Sequence, residues 1–495
     1  MAASGETLTV VIFGATGDLA KKKLFPALYE LLYGCPEAPL LPASTRILGF
    51  GRARVELGEF LAKQCVNVTG PRRADFLSRI AYFQGQYDQE ADFARLHAAL
   101  LELEGGSARA SRLFFLSVPP TVFGLVCENV HRQARAVGEG YTRLIIEKPF
   151  GRDSRTFGEL NCTTSSLFRE DQLFRIDHYL AKEKVLNLLA FRFANQLYEP
   201  LWNRQHIAQV QIVFKEDIGT GGRGGYFDGF GIIRDIMQNH LMQVLTLVAM
   251  EAPASLVAED VRDEKVKVLK QIRPIDPKDC VVGQYDGYQD DADIKKLNEQ
   301  KGYASRCPTF AAVVLYLDNE RWSGVPFIMK AGKALETQQT IVRIQFKKAP
   351  PNSLFGDQPQ NELVIRIQPN EAIYYKILAK LPGLTQRARD VQQTVLDLDL
   401  KKRFELRRTP EAYEKLIHDV IQGESHNFVR RDELEQAWRI FDPLLHELEV
   451  TEKRVPERYT FGSRGPLKAD ALIDRMGFRR YTVTGVPGFA EDDFD

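Results

Sequence analysis

The sequence predicts an α/β fold at the N-terminus, a doubly wound parallel sheet, followed by a larger α+β domain with a mostly antiparallel sheet and long helices. Two patterns predict this order. Up to about residue 180, short β-rich runs alternate with amphipathic helical stretches, and beyond it long helices are followed by alternating strands. Because 495 residues are too many for one ordinary core, we expect two domains, residues 1–176 and 177–495.

The N-terminal half contains strand-like runs separated by stretches of helical periodicity. The strands are predicted at residues 8–13, 46–50, 112–118 and 143–147. Helical periodicity is clearest over residues 91–103 and 121–137. Strands that alternate with helices need crossover connections, so this pattern predicts βαβ units and a parallel sheet.

The C-terminal half has a different pattern. Long helices are predicted at residues 182–193 and 232–249. The strands are predicted at residues 207–215, 310–317, 340–347 and 362–368. Such alternating strands are typical of an antiparallel sheet. Residues 283–303, which are rich in Gly, Asp and Tyr, predict a long surface loop.

Composition and charge exclude several classes of function. The 66 basic and 66 acidic side chains cancel, so no global field attracts nucleic acid, and any basic site must be local. The six cysteines lie far apart without a C-x-x-C motif, so we predict neither a metal site nor disulfides. The apolar run at residues 7–13 is too short to span a membrane and lacks the flanks of a signal peptide. We therefore expect a cytoplasmic protein without a membrane or nucleic-acid partner.

A glycine-rich turn joins the first predicted strand to the first amphipathic stretch. The segment Gly14 to Ala20, GATGDLA, departs from G-x-G-x-x-G, but a pyrophosphate would fit the N–H groups that open a helix there. A tight turn without a ligand is the alternative. The segment Gly219 to Gly224 fits the motif better, yet we expect a plain glycine-rich loop because no helical periodicity follows directly. The candidate cofactor-binding residues of the first turn are Gly14, Thr16, Gly17, Asp18 and Leu19.

The second predicted strand ends with cations where NAD-binding proteins place an acid. Residues 46–50 lead into Arg52 and Arg54, and Lys21 to Lys23 lie on the first helix. Cations at this point favour a 2′-phosphate, although three lysines in a row are also typical of a solvated helix face. We therefore predict NADP rather than NAD, with Arg52 and Lys23 among its ligands.

Lys148 follows the strand at residues 143–147, at the edge where open α/β sheets bind ligands. We predict that the Lys148–Pro149 bond is cis, because a strand that stops and turns its lysine into a crevice is a usual setting for that isomer. An exposed lysine in an ordinary turn is the alternative interpretation. Lys148 is a candidate for both the substrate and the cofactor site.

The segment Arg175 to Glu183 gathers an acid, a histidine, a phenol and a lysine where a helix is predicted to begin. If Asp177 caps that helix, His178 and Lys182 lie on one face beside unpaired backbone N–H groups. Such a cluster would bind a phosphate dianion. Plain capping on a solvated face is the alternative.

His240 lies on the apolar stripe of the helix predicted at residues 232–249. A lone histidine on an apolar face is most often a core residue. An imidazole that titrates near neutral pH is also suited to general-base catalysis. The pattern by itself leaves both interpretations open.

Several of these segments resemble one family. The segment from Arg175 to Glu183, RIDHYLAKE, closely resembles the signature RIDHYLGKE of glucose-6-phosphate dehydrogenases, with Ala181 in place of glycine. The first turn, GATGDLAKKK, resembles the family's GASGDLAKKK. Further matches follow along most of the chain, in EKPFG, GIIRDIMQNH, RWSGVPF and FGSRGP. The Glu-Lys-Pro element is also similar to that of glucose–fructose oxidoreductases.

The resemblance implies roles for individual residues. His240 would be the general base and Asp177 its orienting partner, with Lys148 beside them, and Arg52 would bind the 2′-phosphate of NADP. The substrate phosphate would be bound by His178, Tyr179 and Lys182. The sugar hydroxyls would be met by Lys148, Glu216, Asp235, Lys333 and Gln368.

The chain also departs from the family. Gln338 stands where relatives often have a second basic residue near the substrate, so that contact is not expected. A second, structural NADP in some relatives uses groups that would correspond to Arg343, Arg366, Lys376 and Arg464. Whether this chain binds one stays open.

The resemblance implies oxidation of glucose 6-phosphate at C1, with hydride transfer to NADP and formation of 6-phosphoglucono-lactone, in the oxidative pentose phosphate pathway. It also implies a homodimer or homotetramer. Two alternatives remain: an NADP-dependent dehydrogenase of another sugar, which would not need His178 and Lys182, and a catalytically silent NADP sensor, which would not need His240.

Overall fold

The computed structural model of the chain describes residues 7–35, 39–350, 354–384, 387, 390–398 and 408–478. They form two compact units. The first comprises Met1–Ala181, Ala254–Arg262 and Pro410–Glu435, and the second comprises Lys182–Pro253, Asp263–Thr409 and Gln436–Asp495. Each unit has its own sheet. The predicted domain boundary after residue 176 stays a prediction.

The first unit contains a six-stranded sheet in the order β3-β2-β1-β4-β5-β6, and every pair in it is parallel. The strands are β1 (Thr7–Phe13), β2 (Arg46–Gly51), β3 (Ile80–Gln84), β4 (Ala110–Leu116), β5 (Thr142–Ile146) and β6 (Leu173–Arg175). The predicted doubly wound parallel sheet is confirmed. The sequence pattern missed β3, a half-buried edge strand, and β6, which has only three residues.

Helices connect the strands of the first unit. They are α1 (Phe25–Tyr33), α2 (Leu57–Gln64), α3 (Arg73–Ser78), α4 (Glu90–Leu103), α5 (Phe123–Asn129) and α6 (Ser154–Leu167). Short π-helical segments, Ala20–Leu24 and Val130–Ala134, adjoin α1 and α5. Alternate residues of β1, such as Val10 and Ile12, pack with Leu28 of α1 in the core. Burial on both faces explains why β1 is almost continuously apolar.

The second unit contains a nine-stranded sheet in the order β14-β13-β12-β11-β7-β10-β9-β8-β15. The strands are β7 (Ile207–Lys215), β8 (Cys280–Tyr285), β9 (Phe310–Leu315), β10 (Phe327–Gly332), β11 (Gln339–Phe346), β12 (Glu362–Gln368), β13 (Ala372–Lys380), β14 (Val391–Leu398) and β15 (Glu457–Tyr459). All described pairs are antiparallel except β7 with β10 and β8 with β15. The mostly antiparallel sheet is therefore confirmed.

The remaining helices are α7 (Glu183–Phe193), α8 (Gly224–Asp228), α9 (Met242–Ala249), α10 (Ala258–Gln271), α11 (Ala292–Lys301), α12 (Ala412–Gln422), α13 (Arg431–His446) and α14 (Leu467–Arg475). Of these, α12 belongs to the first unit, and the division between the units falls within α10 and α13. Among the described residues, no helix has the length and apolar character needed to cross a membrane.

The prediction of a long surface loop at residues 283–303 is wrong. The segment contains the end of β8 and the helix α11. Tyr285 and Tyr288 are buried and pack edge to face with ring centroids 5.6 Å apart. Asp291 caps α11 by accepting the N–H of Asp293 at 2.9 Å, and Ile294 is buried. The Gly and Asp residues of this segment therefore form turns and a helix cap around a small core.

The prediction for the second glycine-rich segment is also corrected, because α8 begins at Gly224, directly after the loop. Glycine is a poor helix former, but a Cβ at Gly224 would lie 2.6 Å from Asp291 Oδ1. The absence of a side chain thus permits close packing against the start of α11, and burial of Phe227 compensates for the weak helix propensity.

Candidate active site

The carboxyl ends of the first unit's strands carry the residues that the sequence singled out. The glycine turn follows β1, Arg52 follows β2, Lys148 follows β5 and Asp177 follows β6. Because parallel strands end at the same edge, the order β2-β1-β4-β5-β6 places Arg52 at one end of a row and Asp177 at the other. Four strand spacings separate the ends, about 19 Å. The carboxyl edge is where open α/β sheets bind dinucleotides.

Gly14 is fixed by its neighbours at this edge. Its φ is +77°, and a Cβ there would lie 2.0 Å from Ser117 O, in the loop after β4. The N–H groups of Gly14 and Ala15 donate to Phe50 O at 3.0 and 3.2 Å. Helical structure begins at Asp18, so the exposed tip of the turn at Thr16 precedes a helix N-terminus, as predicted.

The basic residues near the turn differ in their surroundings. Lys22 pairs with Asp18 at 2.8 Å, and Lys23 pairs with Glu411 at 3.0 Å, both at exposed positions. Arg52 is exposed, with its guanidinium 5.8 Å from the ring centroid of Tyr87. Arg52 is thus available at the β2 end of the row.

The segment after β5 is closely packed. The Lys148–Pro149 peptide bond is cis, as predicted. Glu147 accepts a hydrogen bond from the Tyr413 hydroxyl at 3.0 Å. Part of the Glu147 residue is exposed, but its carboxyl group is desolvated, and this burial raises the pKa of Glu147 to about 7. A carboxyl that can be neutral near physiological pH therefore adjoins Lys148.

Asp177 does not cap a helix, so the condition under which His178 and Lys182 would share one helix face is not met. Asp177 Oδ1 accepts the N–H of Tyr179 at 3.0 Å, and its carbonyl accepts the N–H of Leu180 at 3.0 Å. The chain turns over residues 177–182, and α7 begins only at Glu183, with Lys182 at its N-cap position. His178 and Lys182 thus do not share a helix face. The short Asp side chain favours a local turn, and burial of Tyr179 stabilises it.

Tyr413 is the residue of this region that sequence reasoning missed. It lies in the first turn of α12, and its ring stacks on that of His178 with centroids 6.2 Å apart and an interplanar angle of 15°. Burial and the neighbouring Glu147 raise the pKa of the Tyr413 phenol. Tyr413 thus contacts Glu147 through its hydroxyl and His178 through its ring. The separation of more than 200 residues along the chain gave no signal of this contact.

The second unit brings together three of its predicted residues along one edge of its sheet. Strands β12, β7 and β10 run in the same direction and end at Gln368, Lys215 and Gly332. Glu216 and Lys333 therefore follow neighbouring parallel strands, and they form an ion pair. Gln368 lies two strand spacings from β7, about 10 Å.

Lys333 is held firmly at this edge. Its N–H donates to Thr309 O at 3.0 Å, its carbonyl accepts the Tyr459 hydroxyl at 2.7 Å, and its ammonium lies 5.3 Å from the ring centroid of Phe227. Gln338 is exposed just before β11. A positioned lysine beside a carboxylate is suited to binding hydroxyl groups.

Asp235 and His240 lie on a π-helical segment, Ile233–Leu241, which precedes α9. The sequence pattern predicted one regular helix over residues 232–249. A π-helix pairs residues five apart, so Asp235 and His240 lie one turn apart along it. In an α-helix they would point to different sides. His240 is 2% exposed. Asp177 and His240 belong to different units, and their pairing stays a prediction.

Three of the residues considered for a second nucleotide, Arg343, Arg366 and Lys376, lie on the adjacent strands β11, β12 and β13, and Arg464 lies outside the strands. Arg343 and Lys376 approach Glu362 at 3.7 and 4.0 Å, and all three are buried. The backbone carbonyl of Arg464 accepts a hydrogen bond from the Lys330 ammonium at 2.7 Å.

Two family models together match nearly the whole chain. The glucose-6-phosphate dehydrogenase NAD binding domain matches residues 11–187, and the glucose-6-phosphate dehydrogenase C-terminal domain matches residues 189–482. The chain belongs to the glucose-6-phosphate dehydrogenase family. The resemblance found in the sequence is thereby confirmed.

Individual members of the glucose-6-phosphate dehydrogenase family are similar over their full length. Glucose-6-phosphate 1-dehydrogenase of Dictyostelium discoideum is 48% identical, with 98% of this chain and 97% of the relative covered. A solved glucose-6-phosphate dehydrogenase in complex with its substrate is 43% identical, with a TM-score of 0.88 over 97% of this chain and all of the other. The enzyme from Mycobacterium avium is 31% identical, with a TM-score of 0.79 over 97% of this chain and all of the other.

The raised pKa of Glu147 predicts a pH dependence of stability. Between the ordinary glutamate pKa of 4.5 and about 7, Glu147 is protonated in the folded state and ionised in the unfolded state. Its contribution to the free energy of unfolding therefore falls as pH rises through that window. Glu147→Gln removes the effect. Between pH 5 and pH 7.5, the free energy of unfolding of the variant should rise by on the order of 2 kcal/mol relative to that of wild type. The thermal unfolding temperatures of the two proteins, compared at each pH, measure this change. The exposed variant Glu159→Gln should show the same pH dependence of stability as wild type. The same pH dependence in Glu147→Gln would contradict the raised pKa of Glu147.

Proposed function

We propose that the chain oxidises C1 of glucose 6-phosphate, with NADP as hydride acceptor, and releases 6-phosphoglucono-lactone. The observation that carries the proposal is the row along the carboxyl edge of the first sheet, where the glycine turn, Arg52, Lys148 and His178 come after strands β1, β2, β5 and β6. Full-length similarity to glucose-6-phosphate 1-dehydrogenases supports it.

The residues present fit a dinucleotide with a 2′-phosphate. The backbone at Gly14 has no room for a side chain, the helix after it begins at the turn, and β2 leads to Arg52 instead of an acid. Gly14, Thr16, Gly17, Asp18 and Leu19 would meet the pyrophosphate, and Arg52, with Lys23, the 2′-phosphate. The cofactor supplies the hydride acceptor when it is bound.

The substrate contacts proposed here follow the resemblance to the family. His178, Tyr179 and Lys182 would bind its phosphate, since a cationic group and N–H donors stabilise a dianion. Lys182 stands at the N-cap of α7, where backbone N–H groups lack helical partners. Hydroxyl groups of the sugar would be bound by Lys148, Glu216, Asp235, Lys333 and Gln368.

The chemical step needs a base at the C1 hydroxyl, because its proton must leave as the hydride is transferred. We assign that base to His240, because an imidazole is suited to accept a proton near neutral pH. Asp177 would orient the imidazole and stabilise its cationic form. Lys148 would fix the hydroxyl near the hydride acceptor.

We further propose a homodimer or homotetramer, two functional domains divided near residue 176, and a role in the oxidative pentose phosphate pathway. A cytoplasmic location is supported by a 47% identical cytoplasmic member from Arabidopsis thaliana, although a chloroplastic member is equally similar.

Substrate choice tests the phosphate site. NADPH formation should be fast with glucose 6-phosphate and slow with free glucose, and Lys182→Ala should cost on the order of 2–4 kcal/mol of transition-state binding with the phosphorylated sugar only. The exposed Lys295→Ala serves as control. Equal activity on both sugars would favour a dehydrogenase of another sugar, and activity on neither would favour a sensor.

Cofactor choice tests Arg52. Arg52→Ala should raise the KM for NADP and leave that for NAD nearly unchanged, because only NADP carries the 2′-phosphate. Steady-state kinetics with both cofactors measures the effect, with Arg54→Ala, an exposed arginine two residues away, as the matched control. Equal losses with both cofactors would show that Arg52 does not bind the 2′-phosphate.

Turnover tests the base. His240→Asn should keep the fold and substrate binding, lower kcat by roughly two to four powers of ten, and remove the acidic limb of the pH–rate profile. Asp177→Asn should lose a similar or smaller amount, and the exposed His206→Asn should behave as wild type. If His240→Asn mainly unfolds the protein or weakens sugar binding at unchanged kcat, His240 is a core residue, and Lys148 becomes the first candidate for the base.

A further inference from the structure

An open cleft of about 860 Å³ lies at the amino edge of the first unit's sheet, opposite the edge that carries the glycine turn. We call it the arginine cleft. Residues 131–143, which lead into β5, and residues 169–172, which lead into β6, form most of its wall. None of the candidate active-site residues lines it, so its chemistry is separate from the proposed reaction.

The charge of the arginine cleft is strongly positive. Its lining includes Arg132, Arg135, Arg143 and Arg169, and the one carboxylate among the described lining residues is Asp171. Arg169 donates to both oxygens of Asp171, at 3.0 and 2.8 Å. The lining therefore contains three more arginines than carboxylates.

Arg132 and Arg135 follow α5, near the end of its π-helical extension, Val130–Ala134. Cations at a helix C-terminus ordinarily compensate its dipole. Here the buried Arg112 does so, because its Nη1 donates to Ala134 O at 3.0 Å and to Arg135 O at 2.9 Å. The helix end therefore does not explain the two exposed arginines.

The Arg112 guanidinium has further hydrogen-bond partners. It donates to both oxygens of Glu104 at 2.7 Å and contacts His97 Nδ1 at 2.9 Å. Burial and Arg112 lower the pKa of His97, which keeps that lining residue neutral. Within the described residues, neither the Arg132 nor the Arg135 guanidinium has a hydrogen-bond or ion-pair partner.

The loop that forms the wall of the cleft is fixed by its backbone. A Cβ at Gly140 would lie 1.9 Å from Ala110 O, at the start of β4, and Gly138 has a φ of +78°. The N–H of Ala136 donates to Thr142 Oγ1 at 2.9 Å. Arg132, Arg135 and Arg143 thus lie on a π-helical segment, at the start of a fixed loop and on β5, and this preorganised backbone lowers the entropic cost of binding.

Arg143 supplies the third cation. Its guanidinium stacks on the Tyr141 ring, 3.8 Å from the centroid, and a single nitrogen, Nη1, donates to the carbonyls of Val420 and Ile421 at 2.6 and 2.8 Å. No carboxylate among the described residues forms an ion pair with it. Its positive charge therefore stays available beside the cleft.

We propose that the arginine cleft binds a linear polyphosphate group, such as the phosphate chain of a nucleoside triphosphate. Guanidinium groups present planar pairs of donors that match phosphate oxygens, and three of them require a ligand with several linked anionic groups. Because basic and acidic residues balance over the whole chain, no global positive field extends beyond the cleft to attract an extended nucleic acid, so a small polyanion is the better match.

The test is calorimetric titration of the full chain with sodium tripolyphosphate and, separately, with ATP, both in saturating NADP so that the nucleotide site is occupied. Each probe should bind one site per chain and should weaken as salt is raised. The double variant Arg132→Ala with Arg135→Ala should bind about tenfold to a hundredfold more weakly. Arg143 is left intact because it holds the end of α12.

The matched control is the double variant Arg72→Ala with Arg155→Ala, which removes two exposed, ion-paired arginines of the same unit outside the cleft. Its affinity should equal that of wild type, and thermal melts should be alike for all three proteins. Equal affinities for the two probes would identify the phosphate chain itself as the ligand, and tighter ATP binding would identify a nucleoside triphosphate. Displacement by NADP, equal losses in both double variants, or binding of single-stranded RNA but of neither probe would overturn the proposal.

Discussion

Parallel pairing of β1 with both of its neighbours is the constraint on which the candidate site of the first unit depends. In a parallel sheet every strand delivers the residue after its last one to the same edge. The ends of β2 and β4 also converge on Gly14, since Phe50 O accepts two N–H groups from the turn and Ser117 O occupies the place of a side chain. The turn has no freedom to point elsewhere, so the helix after it must begin at that edge.

The second unit achieves a similar result with a different sheet. Only the β7–β10 and β8–β15 pairs are parallel among its described strand pairs, and the first of these makes Glu216 and Lys333 adjacent. An antiparallel neighbour would have sent Lys333 to the opposite edge. Likewise, the change from α- to π-helical hydrogen bonding over Ile233–Leu241 aligns Asp235 with His240. The parallel strand pair and the π-helical segment each depart from the regular structure around them. Each departure brings together polar groups that are separated in the sequence.

Features that depend on local pattern could be predicted from the sequence. The strand, turn and helix around Gly14 are consecutive, so apolar periodicity and glycine spacing were sufficient, and the same holds for Lys148 at its strand end. The turn at Asp177 could not be predicted from the sequence, because an Asp side chain can satisfy either a helix cap or an isolated turn. Which one forms depends on burial of Tyr179 and on the backbone of Phe428 and Val429 beside β6. Tyr413 could not be predicted, since its contacts come from a distant part of the chain.

Helix α12 joins the two edges of the first sheet. Arg143, near the start of β5, holds the carbonyls of Val420 and Ile421, and Glu147, just after the end of β5, accepts from Tyr413. The lengths agree, because four strand residues span about 13 Å and eight helical residues span about 12 Å. Helix α12 therefore lies along β5, with a side-chain hydrogen bond to the strand segment at each of its ends. A ligand that draws the Arg143 guanidinium into the arginine cleft would weaken its hydrogen bonds to α12, and by linkage the strength of those hydrogen bonds would in turn affect affinity in the cleft.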